Sequence, residues 1–317
     1  MSLVGEIEMI QKPIDVLEQF PVRKTKQQKT EFIESVSDYA RKLEYPVTVE
    51  TEKRGVRNMV IGEPETARYL ITAHYDTPAS IGIPNLIAPN SPISFFGIQF
   101  AVVAIMLAVS AAVGFAVYGI CADERIAFFA GYFFYILILL LMLKGPANRS
   151  NANDNTSGIV TVLEILTAIP ESLRSRVCFV LFDMEEAGLV GSAKYRKRHK
   201  NTTEKQIVLN LDCVGDGDII QLTPVKKARQ DQILLGNLGK ICVKSGQKEL
   251  RLRSKGFYKG SSDHKNFPLG VAIMAFHYKK GIGLYCGRIH TWRDKILDRV
   301  NISVLSDALI TLVGTEI

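Results

Sequence analysis

Two apolar runs constrain this chain more than anything else in it. Phe95 to Ile120 contains no charged residue, and Ile126 to Leu143 is again uncharged and rich in Phe, Leu and Ile. Each reaches the length that crosses ~30 Å of hydrocarbon, and runs this long without charge exceed the usual core helix. Only Cys121-Ala122-Asp123-Glu124-Arg125 separates them, which leaves room for a tight reversal. The pair reads as a transmembrane helical hairpin; two buried core helices are the competing reading. Lys144 and Arg149 follow the second span, and Lys12, Arg23, Lys24, Lys26 and Lys29 precede the first, whereas the turn has one Arg against two acids. The positive-inside bias then makes this an integral membrane protein with its soluble parts in the cytoplasm and the lipid bilayer as a partner.

Outside the hairpin the pattern is that of an α/β domain. From Thr30 to Leu43 the apolar residues Phe32, Ile33, Val36, Tyr39, Ala40 and Leu43 recur at helical spacing. Short β-rich runs follow at Val47–Glu50, Asn58–Ile61 and Tyr69–Ala73, then a proline-containing uncharged linker. Beyond the hairpin come a helix over Ile159–Ala168, a strand Val177–Asp183, a helix from about Leu189 and a strand Ile207–Asp212. A helix over Asp231–Val243, a strand Val271–Phe276 and a terminal helix Ile302–Val313 complete the series. This alternation predicts a mixed, largely parallel sheet flanked by helices. Residues 1–92 and 146–317 form one domain in this reading, and residues 93–145 are the inserted hairpin.

The net charge of +7 is dispersed over several segments, so it reads as solvated faces and lipid-side charge and not as a nucleic-acid footprint. Five cysteines, odd in number and without a CxxC pair, indicate neither a disulfide framework nor a thiolate zinc site. Met1–Pro13 has no apolar run of signal-peptide length, and together these features favour a reducing compartment. No internal repeat appears, nor a coiled-coil seam that would set an oligomeric state.

Five polar clusters remain. His74 and Asp76 end a strand, Asn153-Asp154-Asn155-Thr156-Ser157-Gly158 has the composition of a helix cap, Glu185-Glu186 follows a strand, Asp212 ends the next, and His290-Thr291 closes the set. Singly they read as a core histidine, a cap, a solvated acidic turn, a strand-end aspartate and a surface histidine. Jointly they do not, because all five follow predicted strands or start a helix and so share one rim of the sheet. Imidazole and carboxylate donors without thiolates suit a hydrolytic zinc site. Two adjacent glutamates let one bind metal while its neighbour stays free as a base.

In order, His74-Tyr75-Asp76, Ala152 to Gly158, Glu185 to Ser192, Asn210-Leu211-Asp212, Ser262-Asp263-His264 with Phe267, and His290-Thr291 resemble the co-catalytic dizinc aminopeptidases of metallopeptidase family 28. The resemblance covers the chain from about residue 30 to the end, apart from the hairpin. It implies a zinc-exopeptidase fold of the phosphorylase/hydrolase type, two zinc ions per chain, and a peptide substrate with a free N-terminus. His74, Asp154 and Asp212 would hold one zinc, and Asp154, Glu186 and His290 the other. Glu185 would be the general base, Asp76 would orient His74, and Ser262, Asp263 and His264 would line the substrate pocket; on residue type alone His264 reads as a surface residue.

Two departures stand out. Ile289 occupies the place where the family usually has a tyrosine before the last histidine, so the oxyanion contact is unassigned: Tyr278, Tyr285 or the second zinc alone could supply it. The hairpin also separates His74 from Asp154, and only an even number of spans brings both to one site. A catalytically silent membrane receptor or scaffold, a carboxypeptidase and a glutaminyl cyclase are the alternatives on the same fold.

Overall fold

In a computed structural model, residues 9–80 and 85–315 are described. Residues 1–8 of the opening segment and residues 81–84 of the proline-containing linker lie outside them. The strands are β1 (Val47–Thr51), β2 (Arg57–Ile61), β3 (Tyr69–His74), β4 (Leu86–Ile87), β5 (Val177–Phe182), β6 (Ile207–Leu211), β7 (Ile219–Pro224), β8 (Val243–Ser245), β9 (Lys248–Leu252), β10 (Leu269–Lys279) and β11 (Gly283–Gly287). They pair in the order β1-β2-β5-β3-β6-β10-β7-β9-β8, and β11 and β4 continue outward from β10. The central strands β5, β3, β6 and β10 run parallel, while β2 and β7 run against them on either side.

The main helices are α1 (Lys26–Lys42), α2 (Pro92–Cys121), α3 (Glu124–Lys144), α4 (Gly158–Ala168), α5 (Val190–Arg198), α6 (Gln232–Lys240) and α7 (Arg299–Gly314). Parallel strands covered on both faces need apolar residues on both. Alternation in β5 supplies them: Val177, Phe179 and Leu181 enter the larger core, Cys178, Val180 and Phe182 the smaller. Helices α1, α4, α6 and α7 close the larger core, and Tyr195 of α5 with Phe267 closes the smaller. Helix α1 starts ahead of its apolar pattern because a reciprocal cap sets its beginning. The Gln28 N–H donates to Thr25 Oγ1 at 3.2 Å, and the Thr25 N–H donates to Gln28 Oε1 at 3.0 Å.

Helices α2 and α3 leave this domain as an antiparallel pair. Ala122, at φ 54°, and Asp123 make the turn, and the Asp123 carboxylate accepts the N–H groups of Arg125 and Ile126 at 2.8 and 3.1 Å. Both helices are long and apolar enough to cross a membrane, with a hydropathy of 2.6 each. The buried-core alternative fails on exposure, since Phe100 is 76% exposed, Phe115 77% and Phe128 69%. The pair touches where side chains are smallest. A Cβ on Gly131 would lie 2.9 Å from Ser110 O, and one on Gly114 3.0 Å from Ala127 O.

Candidate active site

Parallel strands deliver their C-terminal ends to one rim. β3 ends on His74, β5 runs into Asp183-Met184-Glu185-Glu186, β6 runs into Asp212, β11 leads to His290, and Asp154 sits in the turn Ala152–Ser157 ahead of α4. Met184, Cys213 and His290 have φ of 54°, 55° and 58°, uncommon for non-glycine residues, and mark sharp exits from the strands.

Asp154 lies between two imidazoles. Its Oδ1 is 3.3 Å from His74 Nε2, and its Oδ2 is 3.0 Å from His290 Nε2. Asp212 Oδ1 stands 3.9 Å from His74 Nε2, and Glu186 Oε1 3.4 Å from His290 Nε2. Donor atoms of His74, Asp154 and Glu186 all lie within 4.8 Å of one another, as do those of Asp154, Asp212 and Cys213. The polar clusters thus converge, and Cys213, which sequence reasoning left aside, joins them by following Asp212 directly.

Buried polar side chains fix this arrangement. Asp76 accepts the Glu185 N–H at 3.0 Å on Oδ1 and the Glu186 N–H at 3.2 Å on Oδ2, and its Oδ1 is 3.5 Å from His74 Nδ1. Asp294 accepts the N–H groups of Asn153 and Asp154 at 2.8 and 3.0 Å. Asn155 donates to Leu211 O at 2.9 Å, and its Oδ1 accepts the N–H groups of Gly158 and Cys213, each at 3.2 Å. The cap-like composition of Asn153–Gly158 is therefore partly a cap, through Asn155, while Asp154 faces the histidines.

Burial opposes charge on His74, but Glu185, Asp154, Asp212 and Asp76 outweigh it and push its pKa well above the usual imidazole range. Burial, reinforced by neighbouring carboxylates, pushes Glu185 and Glu186 well up. On Asp154 burial acts upward, yet His290 and His74 hold it below the usual carboxylate range. Clustered buried carboxylates are costly unless cations offset them. Their chemistry, imidazole nitrogen and carboxylate oxygen, fits zinc. Burial, Cys286 and the nearby aspartates push the Cys213 thiol well up.

The Ser262–His264 stretch is buried. Ser262 Oγ accepts from Asn210 Nδ2 at 2.8 Å, and Asp263 accepts from the Ser192 hydroxyl. Burial raises Asp263 to about 7 and lowers His264 to about 4. The surface reading of His264 is corrected here: its relative exposure is 3%. Its turn packs so tightly under β10 that a Cβ on Gly270 would lie 2.0 Å from His264 O. Ile289 is buried with Cys213, Phe276, Leu284 and Cys286, and Tyr258 packs against that cluster. Burial and then the charge of Asp212 push the Tyr258 phenol up. Tyr278 is 68% exposed, and Tyr285 lies against the His277 ring, 5.7 Å between centroids.

Residues 142–308 match the model of peptidase family M28. The match begins at the end of the hairpin and includes Asp154, Glu186, Asp212 and His290 but not His74. Comparison with curated protein sequences finds no match. By structure the chain is similar to a Zn-dependent exopeptidase from Parabacteroides distasonis, with a TM-score of 0.59, 12% identity and 96% of each chain covered. It is also similar to the LapA aminopeptidase of Legionella pneumophila, with a TM-score of 0.56, 15% identity, and 95% of this chain and 70% of that one covered. A glutaminyl cyclase of Macrostomum lignano matches with a TM-score of 0.53 and 13% identity over 98% of this chain and 94% of that one. At such identities the likeness is one of fold.

Proposed function

Because the chain belongs to peptidase family M28, we propose that it is a zinc exopeptidase of the aminopeptidase type, anchored by its hairpin, that removes N-terminal residues from peptides with a free N-terminus. The observation that carries this reading is one carboxylate, Asp154, placed between two imidazoles at 3.3 and 3.0 Å. His74, Asp154 and Asp212 would hold one zinc, and Asp154, Glu186 and His290 the other. Bound zinc supplies Lewis acidity at the scissile carbonyl and eases deprotonation of water. Glu185, beside the donors and not among them, takes the proton from the attacking water and delivers it to the leaving amine. Asp76 positions His74 and both glutamates.

Ser262, Asp263 and His264 form a wall of the substrate pocket. Tyr258, which packs against the buried cluster of Cys213 and Ile289 beside Asp212 and His290, takes the oxyanion role that Ile289 cannot fill. Residues 1–92 and 146–317 make up the peptidase domain, and residues 93–145 are a membrane insert that leaves the domain on the cytoplasmic side.

The test is to purify the protein in detergent, count its zinc by elemental analysis, and assay it beside Glu185→Gln on aminoacyl reporter amides. About two zincs per chain are expected, with a loss of ~10²-fold or more in the variant at unchanged zinc content. Activity should survive a blocked C-terminus and vanish with a blocked N-terminus. One zinc with cyclisation of N-terminal glutamine would favour the cyclase reading, which the fold likeness to a glutaminyl cyclase supports. A protein inert and without zinc would favour the scaffold.

A further inference from the structure

We propose that three basic loops of the peptidase domain, together with Trp292, lie in the headgroup layer of an anionic phospholipid bilayer and hold the rim that carries His290 against it. The proposal rests on the membrane hairpin and goes beyond it, because an anchor alone leaves a domain free to swing.

Each loop is tied to a foot of the hairpin. The Phe257 ring packs on Phe95 and Phe96 near the start of α2, with centroids 6.3 and 6.2 Å apart, and the Lys259 N–H donates to Pro89 O at 3.0 Å. The turn between β10 and β11 receives the Ser94 hydroxyl on Ile282 O at 2.8 Å. Past the end of α3, Asn148 Nδ2 donates to Thr291 O at 3.1 Å, directly before Trp292. All three loops therefore stand level with the helix ends, where hydrocarbon gives way to headgroups.

Their charge has one sign. Lys255, Lys259, Lys279, Lys280, Arg293 and Lys295 are all exposed. The acids of these segments are withdrawn from the face: Asp263 is 0% exposed, Asp294 is 2% exposed and engaged by the Asn153 and Asp154 amides, and Asp298 pairs with Lys248 at 2.6 Å. The far turn of the hairpin instead holds Asp123 and Glu124 against Arg125. A basic face beside a membrane span attracts anionic lipid at short range. Trp292 and Tyr278, each 68% exposed, are the amphipathic rings found at that depth. Arg293 Cζ and Lys295 Nζ lie 5.3 and 5.9 Å from the Trp292 ring, so cations and ring present themselves together.

Trp292 is the sole tryptophan of the chain, so its emission reports this contact directly. The full-length protein is placed in nanodiscs of phosphatidylcholine and phosphatidylglycerol in which one lipid or the other carries brominated acyl chains. Stronger quenching by brominated phosphatidylglycerol is expected. That preference should vanish at high ionic strength, where the Debye length falls to ~3 Å, and drop about twofold or more in Lys279→Ser/Lys280→Ser. Equal quenching by both lipids, or none, in a protein that resists alkaline carbonate extraction overturns the proposal while leaving the hairpin in place. Extraction by carbonate overturns the hairpin reading and this one with it.

Discussion

Replacing Asp76 by Asn probes how the rim is held. The wild-type carboxylate is 5% exposed and accepts two consecutive amides, Glu185 at 3.0 Å and Glu186 at 3.2 Å. Asn keeps the shape but has one acceptor oxygen, and its NH2 faces the second amide. One buried N–H then lacks a partner, at a cost of ~1–3 kcal/mol, and the other exchanges a bond to a charged group for a weaker neutral one. His74 Nδ1 keeps its 3.2 Å contact with the Asp76 backbone carbonyl but loses the negative charge of the carboxylate 3.5 Å away. Part of this cost falls on the turn itself and appears as a Tm lower by a few degrees. The rest falls on the donors, and an outer partner of this kind typically sets ~10–100-fold in metal affinity. Asp76→Asn is therefore expected to bind zinc ~10–100-fold more weakly, measured by competition with a chelator of known affinity, with its circular dichroism spectrum unchanged. A variant with native zinc affinity and native Tm would refute the positioning role.

Tyr258→Phe removes one hydroxyl and should lower kcat by ~10²-fold with little change in KM; an unchanged kcat would leave the oxyanion to zinc alone. His199 hydrogen-bonds Glu50 at 2.6 Å and faces Glu65 at 3.2 Å, and Glu50 first among these raises its pKa. A raised folded-state pKa stabilises the protein fully below the unfolded value near ~6.5 and loses that effect as pH rises through the folded value. Thermal melts should show wild type exceeding His199→Gln most below that value and converging with it at higher pH; a gap that widens with pH would contradict the pairing. Replacing residues 92–144 by about six Gly/Ser residues, enough to join two helix feet ~10 Å apart, should give a detergent-free protein that keeps its zinc. Loss of zinc in a folded product would mean that the insert shapes the site.

The parts of this molecule legible in the sequence are those whose signal is local. The hairpin announces itself by the absence of charge, and β3, β5 and β6 by short apolar runs that end in polar clusters. What escaped is set by distant partners. The expected helix Asp231–Val243 runs into the first residue of β8, because Ile241 and Val243 prolong an apolar pattern that the backbone abandons at Lys240. β9 carries charged residues among its leucines, being near the sheet edge, so Lys248–Leu252 lacks the apolar run of a central strand. β11 is short and glycine-bounded, and forms because β10 continues past the apolar stretch to Lys279 and offers it an edge. Asp294 and Tyr258 were missed for a related reason. Asp294 holds amides on a loop far earlier in the chain, and Tyr258 packs against the Cys213–Ile289 cluster from a loop docked on the hairpin foot. No spacing rule encodes either.

The interruption between His74 and Asp154 is the feature that local reasoning makes hardest to accept, and the structure resolves it through the ends of the insert. Ala79 bridges Ala147, the Ser80 N–H donates to Pro146 O at 2.8 Å, and the Asn148 N–H donates to Pro78 O at 2.9 Å. The chain entering the insert and the chain leaving it are thus paired antiparallel, which helices long enough to cross a membrane permit only in even number. Arg23 reinforces this clasp from outside the insert. Its Nε donates to Tyr75 O at 2.6 Å and an Nη to Thr156 Oγ1 at 3.2 Å, one partner on each side of the insertion. Burial lowers its pKa only to about 10, so it remains a cation at neutral pH. Once the ends are clasped, the length of what lies between adds only a logarithmic entropy term, and the path from β3 to α4 is that of a tight crossover. The two helices behave as a substituent on a closed loop, and the insertion leaves Asp154 at 3.3 Å from His74 and 3.0 Å from His290.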